Sequence, residues 1–182
     1  DKSIHDSEVS VLVLDRVAEE KTHVISGSSD FSIKILDSTS LEVKQVLKGH
    51  TGKVHSIAFS MAWNMLFSSA TDGHIKIWSL KDGNVKHEVK AHGKTVRHLS
   101  FDEGSGKLVS TGEDLIIKLW KVGKSQFSLL QLSVFDEHQR AITEAWIHPA
   151  TGEVISGDQK GSVKISTLGT PAIEEKFEGH SN

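Results

Sequence analysis

The sequence of 182 residues contains no cysteine, no tyrosine and only two prolines. Without cysteine the chain has no disulfide, no thiolate nucleophile and no cysteine-based zinc site, and this composition fits a reducing compartment. No apolar run approaches the roughly 18–20 residues that span a bilayer. No charged-then-apolar leader follows Asp1. These features predict an intracellular protein, cytoplasmic or nuclear, that does not span a membrane.

Charge of one sign is also lacking, because 21 Lys and Arg stand against 24 Asp and Glu, for a net charge of −3. A protein that binds nucleic acid over a broad face needs an excess of cations to neutralise phosphates. Nucleic acid is therefore not the default partner, and a nucleic-acid-associated role is only a third alternative.

A repeat of about 42 residues runs through the chain, marked by His5, His50, His92, His138 and His180. These histidines are separated by 45, 42, 46 and 42 positions. Each of the first four is followed by four short segments with strand-like alternation of apolar residues, separated by polar turns. No unit shows the apolar spacing of a helix. The pattern predicts an all-β fold with four strands in each repeat.

The second repeat carries the most informative motif: Gly49-His50, then Ser68, Asp72 and Trp78, with Trp78 closing the segment IKIW. The same spacing from aspartate to tryptophan returns in the third repeat. This pattern resembles the WD-repeat family, and the resemblance covers essentially the whole chain. It implies a β-propeller with four four-stranded antiparallel blades.

The resemblance also implies blade boundaries within one propeller segment that spans residues 1–182. Family members commonly close seven blades, which would take roughly 290 residues. The chain is therefore expected to form part of a larger ring, with a genuine four-bladed ring as the alternative. The expected blades are 5–49, 50–91, 92–137 and 138–180.

In this family each blade is held by a hydrogen-bonded set that runs from tryptophan to serine or threonine, then to histidine and aspartate. The resemblance places Leu36 at the tryptophan position of the first blade. In the fourth blade it places Lys160 at the aspartate position and Ser166 at the tryptophan position. The residues assigned to these structural tetrads are His50, Ser68, Asp72, Trp78, His92, Ser110, Asp114, Trp120, His5, Ser26, Asp30, His138 and Ser156.

A catalytic interpretation of these trios is disfavoured, because a triad needs one exposed nucleophile beside an oxyanion hole, whereas here the same residues recur in every repeat. Histidines outside the period lack metal-ligand spacing, so no metal and no cofactor are expected. Trp63 is equally compatible with an interaction anchor and with packing between blades. For Trp146, packing between blades is favoured.

Similar propellers commonly bind partners through residues that flank the inner strand and through the residue just before the aspartate. Because Lys53, His55 and Arg97 fall in this set, the face is expected to be locally basic. The implied partner-binding residues are Glu8, Ser10, Ser29, Lys53, His55, Thr71, Thr95, Arg97, Glu113, Ala141, Thr143 and Gln159.

The resulting functional prediction is a non-catalytic protein–protein interaction scaffold within an intracellular multiprotein complex, without a small-molecule substrate. The remaining blades would come from the same or a neighbouring chain. The alternative is the propeller portion of an enzyme, such as a ubiquitin ligase or kinase, whose catalytic domain lies outside this segment.

Overall fold

The computed structural model describes residues 3–15, 23–136, 138–168 and 173–175. Within these ranges the chain forms sixteen β-strands and no helix. The predicted blade ends at 137 and 180, and His180, lie outside the described residues. In chain order the strands are β1 Val9–Asp15, β2 His23–Ser28, β3 Ser32–Asp37, β4 Val43–Lys48, β5 Val54–Ser60, β6 Met65–Ala70, β7 His74–Ser79, β8 Val85–Lys90, β9 Val96–Asp102, β10 Lys107–Gly112, β11 Ile117–Gly123, β12 Ser128–Phe135, β13 Ile142–Ile147, β14 Val154–Asp158, β15 Val163–Ser166 and β16 Ile173–Glu175.

The strands form four antiparallel sheets, each made of four strands that follow one another in sequence. We call these sheets blades 1 to 4. The first strand of each blade contacts the first strand of the next, so β1, β5, β9 and β13 lie on the inside. The fourth strands β4, β8, β12 and β16 form the outer edges. The predicted all-β propeller fold with four four-stranded blades is therefore confirmed.

The hydrophobic core lies between the blades, because each sheet buries apolar residues against its neighbour. One cluster joins blades 1 and 2 and includes Ile25, Val54 and Trp78. A second cluster joins blades 2 and 3. The third, which includes Val109 and Ala145, joins blades 3 and 4. Burial between neighbouring sheets makes each blade depend on the next, as in other repeat proteins.

Candidate functional site

The polar network of blade 2 joins four side chains from different parts of the repeat. His50 Nδ1 lies 2.8 Å from Asp72 Oδ2, and His50 Nε2 lies 2.7 Å from Ser68 Oγ. Trp78 Nε1 donates to the same hydroxyl at 2.7 Å. Because an ionised carboxylate only accepts, His50 donates from Nδ1 to Asp72, and its Nε2 accepts from Ser68. The network ties the loop before β5 to the turn between β6 and β7.

Asp72 is the charged end of this network. Burial by itself raises the pKa of Asp72, but hydrogen bonds from His50 and from the backbone N–H groups of His74 and Thr51 outweigh burial. The net effect holds the pKa well below the usual value for aspartate. The carboxylate is therefore ionised at neutral pH, as the direction of the His50 hydrogen bond requires.

Blade 3 contains a matching network. His92 Nδ1 lies 2.9 Å from Asp114 Oδ1, its Nε2 lies 2.9 Å from Ser110 Oγ, and Trp120 Nε1 donates to Ser110 at 2.9 Å. Burial lowers the pKa of His92, and this effect outweighs the attraction of Asp114 for a proton. His92 is consequently neutral at physiological pH, which leaves Nε2 free to accept from serine.

Blade 1 keeps the inner part of the network without a tryptophan. His5 contacts Asp30 at 2.8 Å and Ser26 at 2.7 Å. Ser32 donates to the Asp30 carboxylate at 2.6 Å. Leu36, at the tryptophan position, is buried and donates nothing to Ser26. His5 is therefore held by Asp30 and Ser26, without a tryptophan that donates to the serine.

In blade 4, the assignment of Lys160 to the aspartate position of the network is wrong. Asp158, two residues earlier, faces His138 Nδ1 at 3.1 Å, while Ser156 lies 2.7 Å from Nε2. Lys160 is exposed, and its backbone N–H donates to Asp158 at 2.9 Å. The carboxylate thus comes from the last residue of β14 and not from the turn that follows it.

The geometry of blade 3 explains why an aspartate fits at this earlier position. Gly112 is the residue of blade 3 that corresponds to Asp158, since each stands two residues after the network serine. A Cβ added at Gly112 would lie 2.5 Å from His92 Nδ1. A side chain at this position therefore points at the histidine. The spacing between serine and aspartate in the other repeats pointed to Lys160 and so missed Asp158. The sequence does show Asp158 directly before a turn, and this could have identified it.

The serines of these networks are poor candidates for nucleophiles. Ser68, Ser110 and Ser156 are each 2% exposed or less, so their hydroxyls are closed to a substrate. In the described ranges, no group of three or more His, Cys, Asp or Glu side chains is arranged to hold a metal ion. The arrangement suits the fixing of loops and turns better than the transfer of a group.

The residues expected to bind partners are brought together on one face by a hydrogen bond that recurs in all four blades. In each blade, the residue that directly follows the second strand donates its backbone N–H to a carbonyl. That carbonyl belongs to the residue that directly precedes the first, inner strand. Three of these bonds measure 2.9 Å and the fourth 3.1 Å. They join Ser29 to Glu8, Thr71 to Lys53, Glu113 to Thr95 and Gln159 to Ala141.

The charges on this face are paired, which corrects the expectation of a locally basic surface. Lys53 of blade 2 donates to Glu8 of blade 1 at 2.8 Å, and Arg97 pairs with Glu113 within blade 3. His55 lies beside these pairs. Burial lowers the pKa of His55, and Arg97 and Lys53 lower it further. Two cations, two anions and a neutral histidine therefore give a balanced surface.

Other residues of the predicted set differ in their accessibility. Thr95 is only 8% exposed, so it supports the face without offering a contact surface. Ser10 donates to the carbonyl of Val54, which joins blades 1 and 2, and Thr143 donates to Gly157 within blade 4 at 3.1 Å. Ser29 is half-buried, whereas Thr71 and Gln159 are exposed.

The two tryptophans outside the networks occupy different environments. Trp63 is half-buried and packs edge-on against Phe101 of blade 3, with ring centroids 5.3 Å apart. Trp146 is 55% exposed, although its ring lies 5.4 Å from that of His98 in blade 3. Trp63 is therefore a packing residue. Trp146 also packs against blade 3 through His98, although more than half of its surface is exposed.

The comparisons with known proteins agree with this geometry. The sequence profile of the family described as WD domain, G-beta repeat (WD40) matches residues 41–79 and 83–121. A stretch of 68 residues is 28% identical to Pre-mRNA-processing factor 19 of Homo sapiens and 27% identical to the same protein of Mus musculus. Each match covers 37% of this chain and 14% of the relative, so the chain spans a small part of these proteins.

Two solved structures are similar over nearly the whole chain. The computationally designed Ika4 protein is 26% identical with a TM-score of 0.75, over 91% of this chain and 94% of its own. The computationally designed Ika8 protein is 28% identical with a TM-score of 0.78, over 97% of this chain and 51% of its own. Within the described ranges, no helix is long and apolar enough to cross a membrane. The two segments matched by the family model are WD40 repeats, and the four four-stranded antiparallel sheets give the chain the architecture of a β-propeller.

Proposed function

We propose that this chain is a non-catalytic scaffold that holds other proteins within an intracellular multiprotein complex. The observation that supports it most is the face formed by the four recurring backbone hydrogen bonds. Loops and turns are fixed there by buried networks, while Lys53, His55 and Arg97 stand at the surface near the inner strands. A rigid frame lowers the entropy that a binding surface loses when a partner docks.

The charge pairs on this face indicate how a partner would be selected. Glu8 is exposed, and its pKa is lowered by a hydrogen bond and by attraction from Lys53. A partner that inserts between Lys53 and Glu8, or between Arg97 and Glu113, must offer charges of both signs. We infer that the face selects a mixed-charge protein surface, since a uniformly acidic or basic one leaves half of these groups unpaired.

The test is to replace His55 and Arg97 together by alanine in the full-length protein. Partners are then recovered by affinity purification and counted by quantitative mass spectrometry. A matched control replaces two exposed lysines far from this face, Lys81 and Lys124. The proposal expects loss of partners with the first variant alone, with both variants folded by circular dichroism. Undiminished recovery with a folded double variant contradicts it.

We further propose that additional blades, from the same or a neighbouring chain, complete a larger ring. Val11 and Val13 pack towards blade 2, so the alternating Leu12 and Leu14 face the other way, where they are 62% and 55% exposed. Trp146 is similarly exposed in blade 4. Open apolar flanks of this kind favour coverage by a further blade.

The number of blades is testable with the 182-residue segment alone. A larger ring predicts that this segment associates with itself or melts without cooperativity, because its flanks remain uncovered. Light scattering coupled to size exclusion, together with calorimetry, measures both properties. A monomer with a single cooperative transition would support a closed ring of four blades instead. Blade boundaries at 5–49, 50–91, 92–137 and 138–180 are part of the same proposal.

No partner is carried over from Pre-mRNA-processing factor 19, because the match covers 14% of that protein. Its name nevertheless makes assemblies that process pre-mRNA the first place to search. Purification of the full-length protein with and without ribonuclease would separate protein partners from contacts through RNA.

A further inference from the structure

The outer edge of blade 3 differs from the outer edges of blades 1 and 2. Its edge strand β12 has the sequence SLLQLSVF and contains no charged residue. By contrast, β4 contains two lysines, and β8 contains two lysines and a glutamate. Charged side chains, lysine above all, are the usual protection of an exposed strand against pairing with other chains. Blade 3 lacks this protection.

The same strand exposes apolar side chains and has an open backbone edge. Leu130, Leu132 and Val134 are 66%, 38% and 44% exposed. β12 pairs with β11 on one side and is the last strand of its sheet. In the described part of the chain, no backbone hydrogen bond reaches it from the outer side. Its outward N–H and C=O groups are available to another extended strand.

Structural equivalence between the blades shows which protective residue has been replaced. The outer strands of blades 1 to 3 each have a bulge at the same place, opposite the tryptophan position of the third strand. The residue left unpaired by the bulge is Lys44 in blade 1, Lys86 in blade 2 and Leu132 in blade 3. Where the sister blades place a lysine, blade 3 therefore places an exposed leucine.

A second pair of equivalent positions shows that blade 3 lacks a carboxylate that blade 2 has. In blade 2, Lys76 forms an ion pair with Glu88, its cross-strand neighbour on the outer strand. The matching lysine of blade 3 is Lys118, and its cross-strand neighbour is Val134. Among the described residues Lys118 forms no ion pair, and its amine lies 5.8 Å from the Trp120 ring centroid. A carboxylate is thus supplied in blade 2 and missing in blade 3.

Blade 1 shows that the valine alone does not create a docking edge. Its corresponding lysine, Lys34, also faces a valine, Val46, but the Lys34 amine donates to the carbonyl of Ile4 at 2.7 Å. Its outer strand in addition keeps Lys44 and Lys48. The uncharged edge and the half-buried lysine without a carboxylate occur together only in blade 3, among the three outer strands whose side chains are described.

We propose that β12 is a docking edge for an extended segment of a partner protein, in which apolar and acidic side chains alternate. The segment would add to blade 3 as a fifth strand through backbone hydrogen bonds. Its apolar side chains would cover Leu130 and Leu132, and a carboxylate would pair with Lys118. A second copy of β12 fits less well, because that strand has no carboxylate to offer. This site is separate from the proposed partner-binding face.

The first test uses a fluorescein-labelled peptide of alternating valine and glutamate, titrated with the full-length protein and followed by anisotropy. A matched peptide has lysine in place of glutamate. We expect the acidic peptide to bind about tenfold or more tightly than the basic one. We also expect hydrogen exchange of the amides in 128–135 to slow when the acidic peptide is added. No binding, or equal binding of the two peptides, overturns the proposal.

Two substitutions locate the site. Val134→Glu copies Glu88 of blade 2. It therefore gives Lys118 a carboxylate partner from the same chain, and its negative charge repels an acidic segment. It should weaken peptide binding about tenfold or more. Val46→Glu makes the same change at the equivalent position of blade 1 and should leave binding unchanged. Undiminished binding by folded Val134→Glu protein overturns the proposal.

Further variants keep the result interpretable. Lys118→Gln should abolish the preference for the acidic peptide without unfolding the protein, and this readout serves if Val134→Glu fails to fold. The double variant His55→Ala/Arg97→Ala should bind the peptide normally, which separates this edge from the proposed partner-binding face. If light scattering instead shows that the protein pairs with itself through β12, and Val134→Glu makes it monomeric, the partner proposal is wrong.

Discussion

Blades 2 and 4 hold equivalent histidines with carboxylates that stand at different places in the sequence. In blade 2 the aspartate follows the network serine by four positions, and in blade 4 by two. The distances to histidine Nδ1 are 2.8 Å and 3.1 Å, and both histidines lie 2.7 Å from their serine. The fold therefore requires an acceptor at one point in space, which either residue can provide.

The same two blades differ in how far the network extends. Trp78 continues it to the third strand of blade 2, whereas blade 4 has Ser166 at that position and its network ends at Ser156. Asp158 is nevertheless well anchored. Burial raises the pKa of Asp158, but hydrogen bonds from His138, Lys160 and Ser162 outweigh burial and lower it. The inner part of the network thus forms without the tryptophan.

Removing the carboxylate of blade 2 should have the largest effect. Asp72→Ala leaves the buried Nδ1–H of His50 and two backbone N–H groups without their acceptor. We expect the free energy of unfolding of the full-length protein to fall by about 1–3 kcal/mol. Urea denaturation measures it, with alanine at exposed Asp6 as the control. An unchanged midpoint would mean that the network does not stabilise blade 2.

The equivalent change in blade 4 sharpens the comparison. Asp158→Ala should destabilise by about 1–2 kcal/mol, whereas Lys160→Ala should change little because that side chain is exposed. The double variant Asp158→Ala/Lys160→Asp restores the spacing found in blade 2 and should recover most of the loss. If the Lys160 change alone is as damaging as the Asp158 change, the correction made for blade 4 fails.

Replacing Trp78 by phenylalanine tests the extension of the network in blade 2. The ring still fills most of the space between blades 1 and 2, but Ser68 loses its indole donor. We expect a loss of about 0.5–1.5 kcal/mol. The melting temperature should fall by about 2–4 °C for each kcal/mol. The control is the exposed substitution Val85→Ala. If Trp78→Phe lowers the melting temperature no more than this control does, the hydrogen bond from Trp78 to Ser68 does not contribute to stability.

The smallest expected effect is a pH dependence at the junction of blades 3 and 4. His98 Nδ1 accepts the backbone N–H of Ala145 at 3.3 Å. Burial lowers the pKa of His98, although the negative charge of Glu144 acts to raise it. Because the unfolded chain titrates near the ordinary value of about 6.5, protonation favours unfolding. The stability that neutral His98 contributes is therefore present above about pH 6.5. It is lost as the pH falls from about 6.5 towards the lowered pKa of the folded protein.

The variant His98→Gln retains an acceptor for Ala145 but does not titrate. Melting temperatures measured between neutral and mildly acidic pH should decline less for this variant than for the unchanged protein. Some decline will remain, because burial also lowers the pKa of His55 and His92. Equal slopes for the two proteins would remove His98 from the pH dependence.

The repeat in the sequence was sufficient to predict the fold. Period, strand-like alternation and polar turns depend on local preferences and on the burial of alternating residues, so they remain legible in four diverged copies. The spacing of His50, Ser68, Asp72 and Trp78 also placed the network residues of blade 2 in the correct elements.

The sequence by itself determined the four-stranded blades and the periodic histidines. Only the tertiary structure decided which carboxylate reaches His138, that Lys53 and Arg97 are neutralised, and that the edge of blade 3 is unprotected. These features depend on distances between side chains from different strands and blades. A side chain two residues away can reach the same point when the backbone curves at a strand end, and linear spacing does not encode that reach.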